Sequence, residues 1–491
     1  MVFTFQVLIL YSLPLAFVLY FLKSYISSSK SLKNLPPSPP KLPLIGNLHQ
    51  LGSSPYRALQ SMARTYGPVM LIRLGTVPVL VASSSDAARE ILKTHDSIFA
   101  NRPCLKIPSR IFYASKDIAF AQYGEYWRQA KNIAVLHLLS NKRVHSYGFV
   151  REEEVALLIE KIQKANESVV NLSELVISVT NNVLCRVALG RRYDGRQFKS
   201  LLDRTMELLG SFSVGSYIPS LGWVDRLSGL ERKVQEVSKE FDEFLEGVIQ
   251  EHVNKKNVDV ECQDLVDILL KIQRDNLMGF PLEKDMIKAI ILDLFGAGTD
   301  TTSTSLEWAI AELLQHPQAM KELQQEALIM GEGASIITED KLEKMPYLKA
   351  VLKETLRLHA PGPLLIPHES TQDVKLLGYD IPSGTQVFIN AAAIGRDPSK
   401  WEASEDFRPE RFLNNPIDYK GFHFELIPFG AGRRGCPGIQ FGMIINELVL
   451  ANLVYKFDFV LMGEESSDMT EANGIAVHKK YPILVSALPR Y

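Results

Sequence analysis

Eleven residues near the carboxyl-terminal end, Pro428-Phe429-Gly430-Ala431-Gly432-Arg433-Arg434-Gly435-Cys436-Pro437-Gly438, constrain this chain more than any other stretch. Three glycines in the six residues before Cys436 let backbone amides approach its sulfur closely. Pro437 suits the first position of a helix, and an apolar helical run follows from Ile439 to Phe457. That puts Cys436 at a helix amino terminus, where partial positive charge favours a thiolate, and Arg433 and Arg434 add to it. A stabilised thiolate is either a nucleophile or a metal ligand. A nucleophile needs a base, and no histidine lies close in sequence. The glycine spacing and the paired arginines weigh against an inert buried thiol.

A second stretch breaks local rules. Phe295-Gly296-Ala297-Gly298-Thr299-Asp300-Thr301-Thr302 interrupts a strong helical pattern that runs from Lys284 to Leu314. Each glycine costs about 1 kcal/mol against alanine, and threonine is a mediocre helix former. Such violations tend to fall where function needs them. Small residues let a ligand come close to the backbone. A threonine hydroxyl bonding back to a preceding carbonyl loosens the helix and leaves room for water.

The amino terminus is of another kind. Met1 to Leu22 contains no charged side chain, and a bilayer-spanning helix needs about 20 apolar residues. The first charges, Lys23, Lys30 and Lys33, follow the run, which argues against a cleaved signal peptide. Residues 1–22 read as an uncleaved signal anchor that leaves the rest of the chain in the cytosol. Residues 23–43 read as a basic tether and proline-rich hinge, with Pro36, Pro37, Pro39, Pro40 and Pro43 stiffening it. A globular body is expected over 44–491.

Within that body a strand pair is expected at Val69 to Leu74 and Val79 to Ala82, and short strands near Val374 to Phe388 and at the carboxyl-terminal end. Long amphipathic helices cover roughly Val150 to Gln163, Glu231 to Glu251 and Lys284 to Leu314. The length of 491 residues suggests about three domains, but no internal linker appears, so one large helical domain with small sheets is expected. With 46% hydrophobic residues, 22% charged ones and a net charge of -2, the chain has a core and no basic field for nucleic acid. Its 4 cysteines make neither a disulfide framework nor a CxxC zinc pair. The sequons at Asn166 and Asn171 fall on the cytosolic side of the expected topology and read as chance matches.

The pattern Phe429-x-x-Gly432-x-Arg434-x-Cys436-x-Gly438 resembles the haem-binding loop of the cytochrome P-450 superfamily. The resemblance spans roughly Pro36 to Ala487. Leu35-Pro36-Pro37, Ile45-Gly46-Asn47-Leu48 and Tyr123-Gly124-Glu125-Tyr126-Trp127-Arg128 are similar to plant microsomal family 71, nearest its A-type branch. It implies a mainly α fold, a large helical haem domain with small β-sheets behind an amino-terminal membrane anchor helix. Cys436 becomes the axial ligand of haem b iron, Arg434 a propionate partner, and Phe429 a neighbour of the sulfur. The distal signature places Ala297 and Gly298 against the haem and makes Asp300 and Thr301 the acid–alcohol pair that delivers protons during oxygen activation, with Thr302 the weaker candidate. Trp127 and Lys131, four residues apart on one helical face, match a Trp-x-x-x-Arg pair that donates to a propionate, although lysine is a point donor where the family has a fork. His368 matches a further propionate position. Glu354 and Arg357, with Arg411, match a buried structural network. Pocket walls are implied near Arg110 to Phe120, at Leu294 and Ala297, at Leu364 to Ile366, and at Ile475 and Ala476.

The implied activity is a monooxygenase of the endoplasmic-reticulum membrane, with a single span. Electrons come from NADPH through NADPH-cytochrome P-450 reductase, with a cytochrome b-type protein as a further donor. Substrates in that family are small apolar specialised metabolites: terpenoids, coumarins and other aromatics, or amino-acid-derived oximes. Two alternatives stay open in the sequence: an oxygen-independent dehydration or isomerisation on the same fold, and a non-enzymatic membrane-tethered haem-binding protein.

Overall fold

The computed structural model describes residues 34–166, 168–193, 196–254, 263–276, 281–472 and 474–490. The expected anchor (1–22) and the tether up to Lys33 lie outside the described residues. The elements that build the site are ten helices and nine strands. The helices are α1 (Glu125–Asn132), α2 (Gly148–Lys164), α3 (Leu172–Leu189), α4 (Arg196–Leu209), α5 (Leu230–Asn254), α6 (Leu265–Asp275), α7 (Lys284–Gln315), α8 (Pro317–Gly331), α9 (Pro346–Leu358) and α10 (Ile439–Lys456). The strands are β1 (Val69–Leu74), β2 (Val77–Ala82), β3 (Val169–Asn171), β4 (His368–Glu369), β5 (Gln386–Ile389), β6 (Phe457–Leu461), β7 (Glu471–Ala472), β8 (His478–Lys479) and β9 (Leu484–Pro489).

The expected helices at 150–163, 231–251 and 284–314 are α2, α5 and α7, each running a few residues further at one or both ends. α3 starts where the Asn171 side chain accepts from Glu174 N–H (3.1 Å) and stops at Gly190 with φ 75°. α7 is the axle of the molecule. It packs against α3, α4, α9 and α10, and at one point against β8. Its 32 residues are unbroken, although glycines and threonines crowd its middle. Thr301, Ser303, Thr304 and Ser305 each donate to the carbonyl four residues back, which satisfies their hydroxyls inside the helix without interrupting it. The apolar contacts of α3, α7, α9 and α10 form one continuous core. Burying a Leu or Ile there contributes roughly 1.5–3 kcal/mol.

The sheets stand to one side. β1 and β2 form an antiparallel hairpin, β5 adds parallel to β2, and β4 closes the edge antiparallel to β5, with His368 opposite Val387. A second sheet sets β9 between β3 and β6, and β7 pairs with β8 in a hairpin that puts His478 opposite Ala472. The proline-rich stretch is already part of the body. The Pro37 carbonyl accepts from Leu71 N–H (2.8 Å), and the Asn47 side chain reaches Pro40 O (3.1 Å). The folded unit therefore includes residues before Leu44.

Candidate active site

The cysteine loop runs from Pro428 into α10. Cys436 N–H donates to Phe429 O (3.0 Å), and Gly438 N–H points at the Cys436 sulfur (3.4 Å). At Gly432 (φ 67°) a Cβ would overlap the Leu92 carbonyl oxygen, so no other residue fits that turn. The Phe429 ring meets Tyr419 edge-on, with centroids 5.6 Å apart. One local expectation is corrected: α10 begins at Ile439 with Gly438 as its cap, so Pro437 precedes the helix. The amide that serves the sulfur is that of Gly438. Cys436 is accessible although protein surrounds it, and burial pushes its thiol pKa up in the chain alone, against Gly438 N–H and the Lys131 charge.

Cations converge beside this loop. Arg434 donates to three backbone carbonyls, Ala100 (2.7 Å), Ile118 (3.2 Å) and Ala121 (2.6 Å), and its guanidinium stacks 4.2 Å from the Trp127 ring centre. Trp127 on α1 donates its indole N–H to the same Ile118 carbonyl (3.0 Å). One turn on, Lys131 donates to Arg433 O, with Gly435 O at 3.5 Å, so its ammonium closes on the cysteine loop. His368 is buried at the edge strand, its Nδ1 bonded to Phe99 O (2.8 Å). Burial, then the charges of Arg102 and Arg434, hold its pKa well below the ordinary value.

Arg102 belongs to this group and carries no sequence signal of its own. It lies in a loop between Asn101 and Pro103, 4% exposed, donating to Ala119 O (2.9 Å), Ile366 O (2.7 Å) and Pro367 O (2.9 Å). Burial and the neighbouring Arg434 push Arg102 well below its usual pKa, and burial brings Arg434 down to about 10. Asp117 is the acid that faces both.

On the other side, Ala297 and Thr301 share one face of α7 one turn apart; Ala297 is exposed and Thr301 half-buried. Thr301 Oγ1 donates to Ala297 O (2.6 Å). Gly298 does not share that face, which corrects the expectation that it lies against the haem. A Cβ there would sit 3.0 Å from a methyl of Leu184, so Gly298 lets α3 pack against α7. Thr302 is buried, with its hydroxyl 3.2 Å from the position a Gly442 Cβ would take, and so belongs to the α7–α10 contact. Asp300 turns away from Thr301. Its Oδ1 lies 3.0 Å from His478 Nε2 on β8.

The structural network is complete. Glu354 receives both Arg357 forks (2.7 and 2.8 Å), Arg411 Nε (2.9 Å) and the Arg408 amide (2.8 Å), and both Glu354 and Arg357 side chains are 0% exposed. Arg357 spends its remaining donors on Gly395 O, Ser404 O and Asp406 O, which satisfies a charge that would otherwise be costly to bury.

A buried acid pair joins the two halves of the site. Asp293 on α7 accepts from the amides of Ile118 and Ala119, and Asp117 accepts from Phe120 N–H (2.8 Å). Burial, then the charge of Asp117, raises Asp293 well above the usual carboxylate range, and burial lifts Asp117 to about 6.

This donor set fits one kind of group. The site offers a thiol in a glycine cradle and an accessible stripe of small residues on α7, while buried guanidiniums, an indole and an ammonium gather beside the cysteine loop with few acids to answer them. A flat apolar ring bearing an iron and two carboxylate tails satisfies all of these demands, and the arrangement defines a haem-thiolate site. The comparisons agree: residues 36–486 match the family model described as Cytochrome P450. A "3-beta-hydroxylase" of Tanacetum parthenium is 53% identical, covering 99% of this chain and 99% of its own. A "Psoralen synthase" of Ammi majus is 54% identical with 98% of both chains covered. Further plant relatives, 52–54% identical, are named as cytochromes P450 71A. A solved zebra fish cytochrome P450 with abiraterone superposes with a TM-score of 0.76 at 28% identity, covering 90% of this chain and 100% of that one. The chain belongs to the cytochrome P450 family, with the plant family 71 enzymes of its A-type branch, and is a haem-binding monooxygenase.

Proposed function

We propose that this monooxygenase oxidises a small apolar specialised metabolite of the terpenoid or coumarin kind. Hydroxylation is the reading supported by the hydroxylase among its relatives. The psoralen synthase relative supports the aromatic substrate class. Electrons come from NADPH through the partner reductase, with a cytochrome b-type protein as a further donor. The chain sits in the endoplasmic-reticulum membrane, anchored by residues 1–22, with 44–491 as the catalytic domain in the cytosol. Exposed Trp223 and Leu227 support contact with lipid. They lie next to a segment whose Tyr217 carbonyl accepts from Thr76 N–H (3.0 Å), on the hairpin that also receives Ile45.

When bound, haem supplies the redox chemistry that activates O2. The residues of this chain do the rest. Cys436 ligates the iron. Lys131, His368 and Arg434, joined by Arg102, would hold the propionates, whereas Trp127, expected to donate to one, spends its single N–H on Ile118 O and instead stacks under Arg434. Ala297 would leave the accessible face of α7 low, and Thr301 and Asp300 would hold and move protons beside it. Phe112 and Phe120, stacked with centroids 5.6 Å apart, and Leu294 exclude water from the substrate side. The observation that carries this reading is the pairing of the Gly438-cradled Cys436 with buried cations that outnumber the acids facing them. The test is a carbon monoxide difference spectrum of the reduced protein beside a Cys436→Ala control. The expected thiolate band, absent from the control, leads to turnover with reductase, NADPH and a panel of terpenoids and coumarins. A spectrum of histidine-ligated haem, or no haem in folded protein, overturns it.

A further inference from the structure

Asp300 does not face the stripe formed by Ala297 and Thr301 but meets a histidine from a hairpin 178 residues further along the chain. His478 lies between two groups of α7: its Nε2 is 3.0 Å from Asp300 Oδ1, and its Nδ1 is 2.8 Å from Thr304 Oγ1. Hydrogen-bond accounting fixes the protons. Thr304 Oγ1 also lies 2.7 Å from the Asp300 carbonyl, which only accepts, so the one hydroxyl proton points there. The hydroxyl must then accept from His478, and Nδ1 carries a proton. If the ring were neutral in that tautomer, Nε2 would have none, and its contact with a charged carboxylate would be a lone pair against a lone pair. One more proton therefore lies between Nε2 and Oδ1, on the imidazole or on the acid. Both placements keep every hydrogen bond, so the proton can cross without any atom moving far.

We propose that His478 is the positioning residue of the proton path, holding Asp300 away from Thr301 and reloading it with protons from solvent. This rests on the proton-delivering role proposed above for Asp300. The His478 side chain is 32% exposed while that of Asp300 is 17%, so the histidine is the more exposed member of the pair and the one that water reaches. In the step, the Nε2–H bond breaks, the Oδ1–H bond forms and no electron moves; once Asp300 has moved off, Nε2 takes a proton from hydronium or a buffer acid in solvent, leaving water or the buffer base. Asp300, now neutral, is released from the ion pair one residue from Thr301. The charged groups facing the imidazole are Asp300 and Glu307 on α7 and Asp203 on α4, with Lys479 beside it on its own strand facing Glu307. Burial alone would lower the imidazole, but the hydrogen bond and charge of Asp300, with Glu307 and Asp203, outweigh it and leave His478 above its ordinary value.

The experiment compares wild-type holoenzyme with His478→Gln, Thr304→Val and Asp300→Asn. The carbon monoxide spectrum should be alike in all four. His478→Gln should lower kcat about tenfold with little change in KM and divert NADPH electrons into peroxide, less than the about 10²-fold of a general acid removed outright. The fall in wild-type rate as pH rises through the histidine range should vanish in this variant. Independently of turnover, deuterium exchange at the imidazole C2 position, read by mass spectrometry, gives the proton affinity of His478. It should fall roughly tenfold in Asp300→Asn. If Asp300→Asn slows and uncouples turnover while His478→Gln does neither, the histidine has no part in the path and the inference fails alone. If Asp300→Asn changes nothing, the role of Asp300 fails and the inference with it. If His478 in the wild type titrates at or below the free imidazole, the shared proton does not exist. That measurement decides the matter even where a variant does not fold.

Discussion

The cysteine loop and the distal stretch of α7 both break local rules with glycine, but for opposite reasons. At Gly432 the backbone is in the left-handed region and another chain segment occupies the place of a side chain. The loop is fixed by what surrounds it: Leu92, the carbonyls that Arg434 binds, and Lys131 closing on Arg433. In α7 the backbone is ordinary helix, and Gly298 exists so that α3 can come close. Its chemistry-bearing groups hold exchangeable protons on hydroxyls and on the Asp300–His478 pair. A metal ligand needs a position that cannot relax, whereas a proton path needs groups whose bonds survive a proton's transfer. The two kinds of glycine follow from that difference.

The sharpest way to break the comparison is to loosen what lies behind the loop. Arg357→Ala leaves Glu354 buried against Arg411 alone, and should cost about 3–5 kcal/mol. Denaturant unfolding should show the loss, with haem retained in a smaller share of purified protein. A stability within error of wild type would mean that the network is not what holds this face. Next, the two glycines can be set against each other. Gly432→Ala meets the Leu92 carbonyl at φ 67° and should lose at least about 1–2 kcal/mol together with haem occupancy. Gly298→Ala asks only the Leu184 methyls to give way and gains up to about 1 kcal/mol of helix propensity, so it should stay within about 1 kcal/mol of wild type with an unchanged Soret spectrum. A spectral change in Gly298→Ala would return that residue to the haem face. The smallest effect belongs to the ion pair. His478 has a raised pKa in the fold, so the stability it contributes is complete below its unfolded pKa near about 6.5 and is lost as pH rises through the folded value. The gap in unfolding free energy between wild type and His478→Gln should be under about 1 kcal/mol at acidic pH, because the pair is partly exposed, and should close on the alkaline side.

What was legible in the sequence follows the same division. The loop and the long helices could be read because each is a local statement: glycine spacing before Cys436, or apolar residues at helical period along α2, α5 and α7. Glu354 and Arg357 looked like any surface pair at i and i+3, and only the resemblance marked them as buried. Pro437 pointed to a helix start two residues too early, since the cap is Gly438. Arg102 and His478 could not be found at all. Each acts on groups far along the chain, Arg102 on a carbonyl 264 residues away and His478 on an acid from another element, and a lone Arg or His carries no local period. Gly298 was misplaced because spacing along a helix fixes relative faces but not which one meets the cofactor.

The backbone of Ile118 ties three parts of the site together. Its amide is held by Asp293, and its carbonyl serves both Trp127 and Arg434. Sliding this one unit would disturb the distal helix, α1 and the cysteine loop together, so it behaves as a rivet. Three residues earlier, Tyr113, Ala114 and Ser115 form a left-handed turn, a conformation that costs roughly 1–2 kcal/mol per residue and is held here by bonds from Ala114 N–H to Ser109 O (2.8 Å) and from the Tyr113 hydroxyl to Asp242 (3.0 Å). The segment from Tyr113 to Ile118 thus carries backbone strain at one end and shared hydrogen bonds at the other.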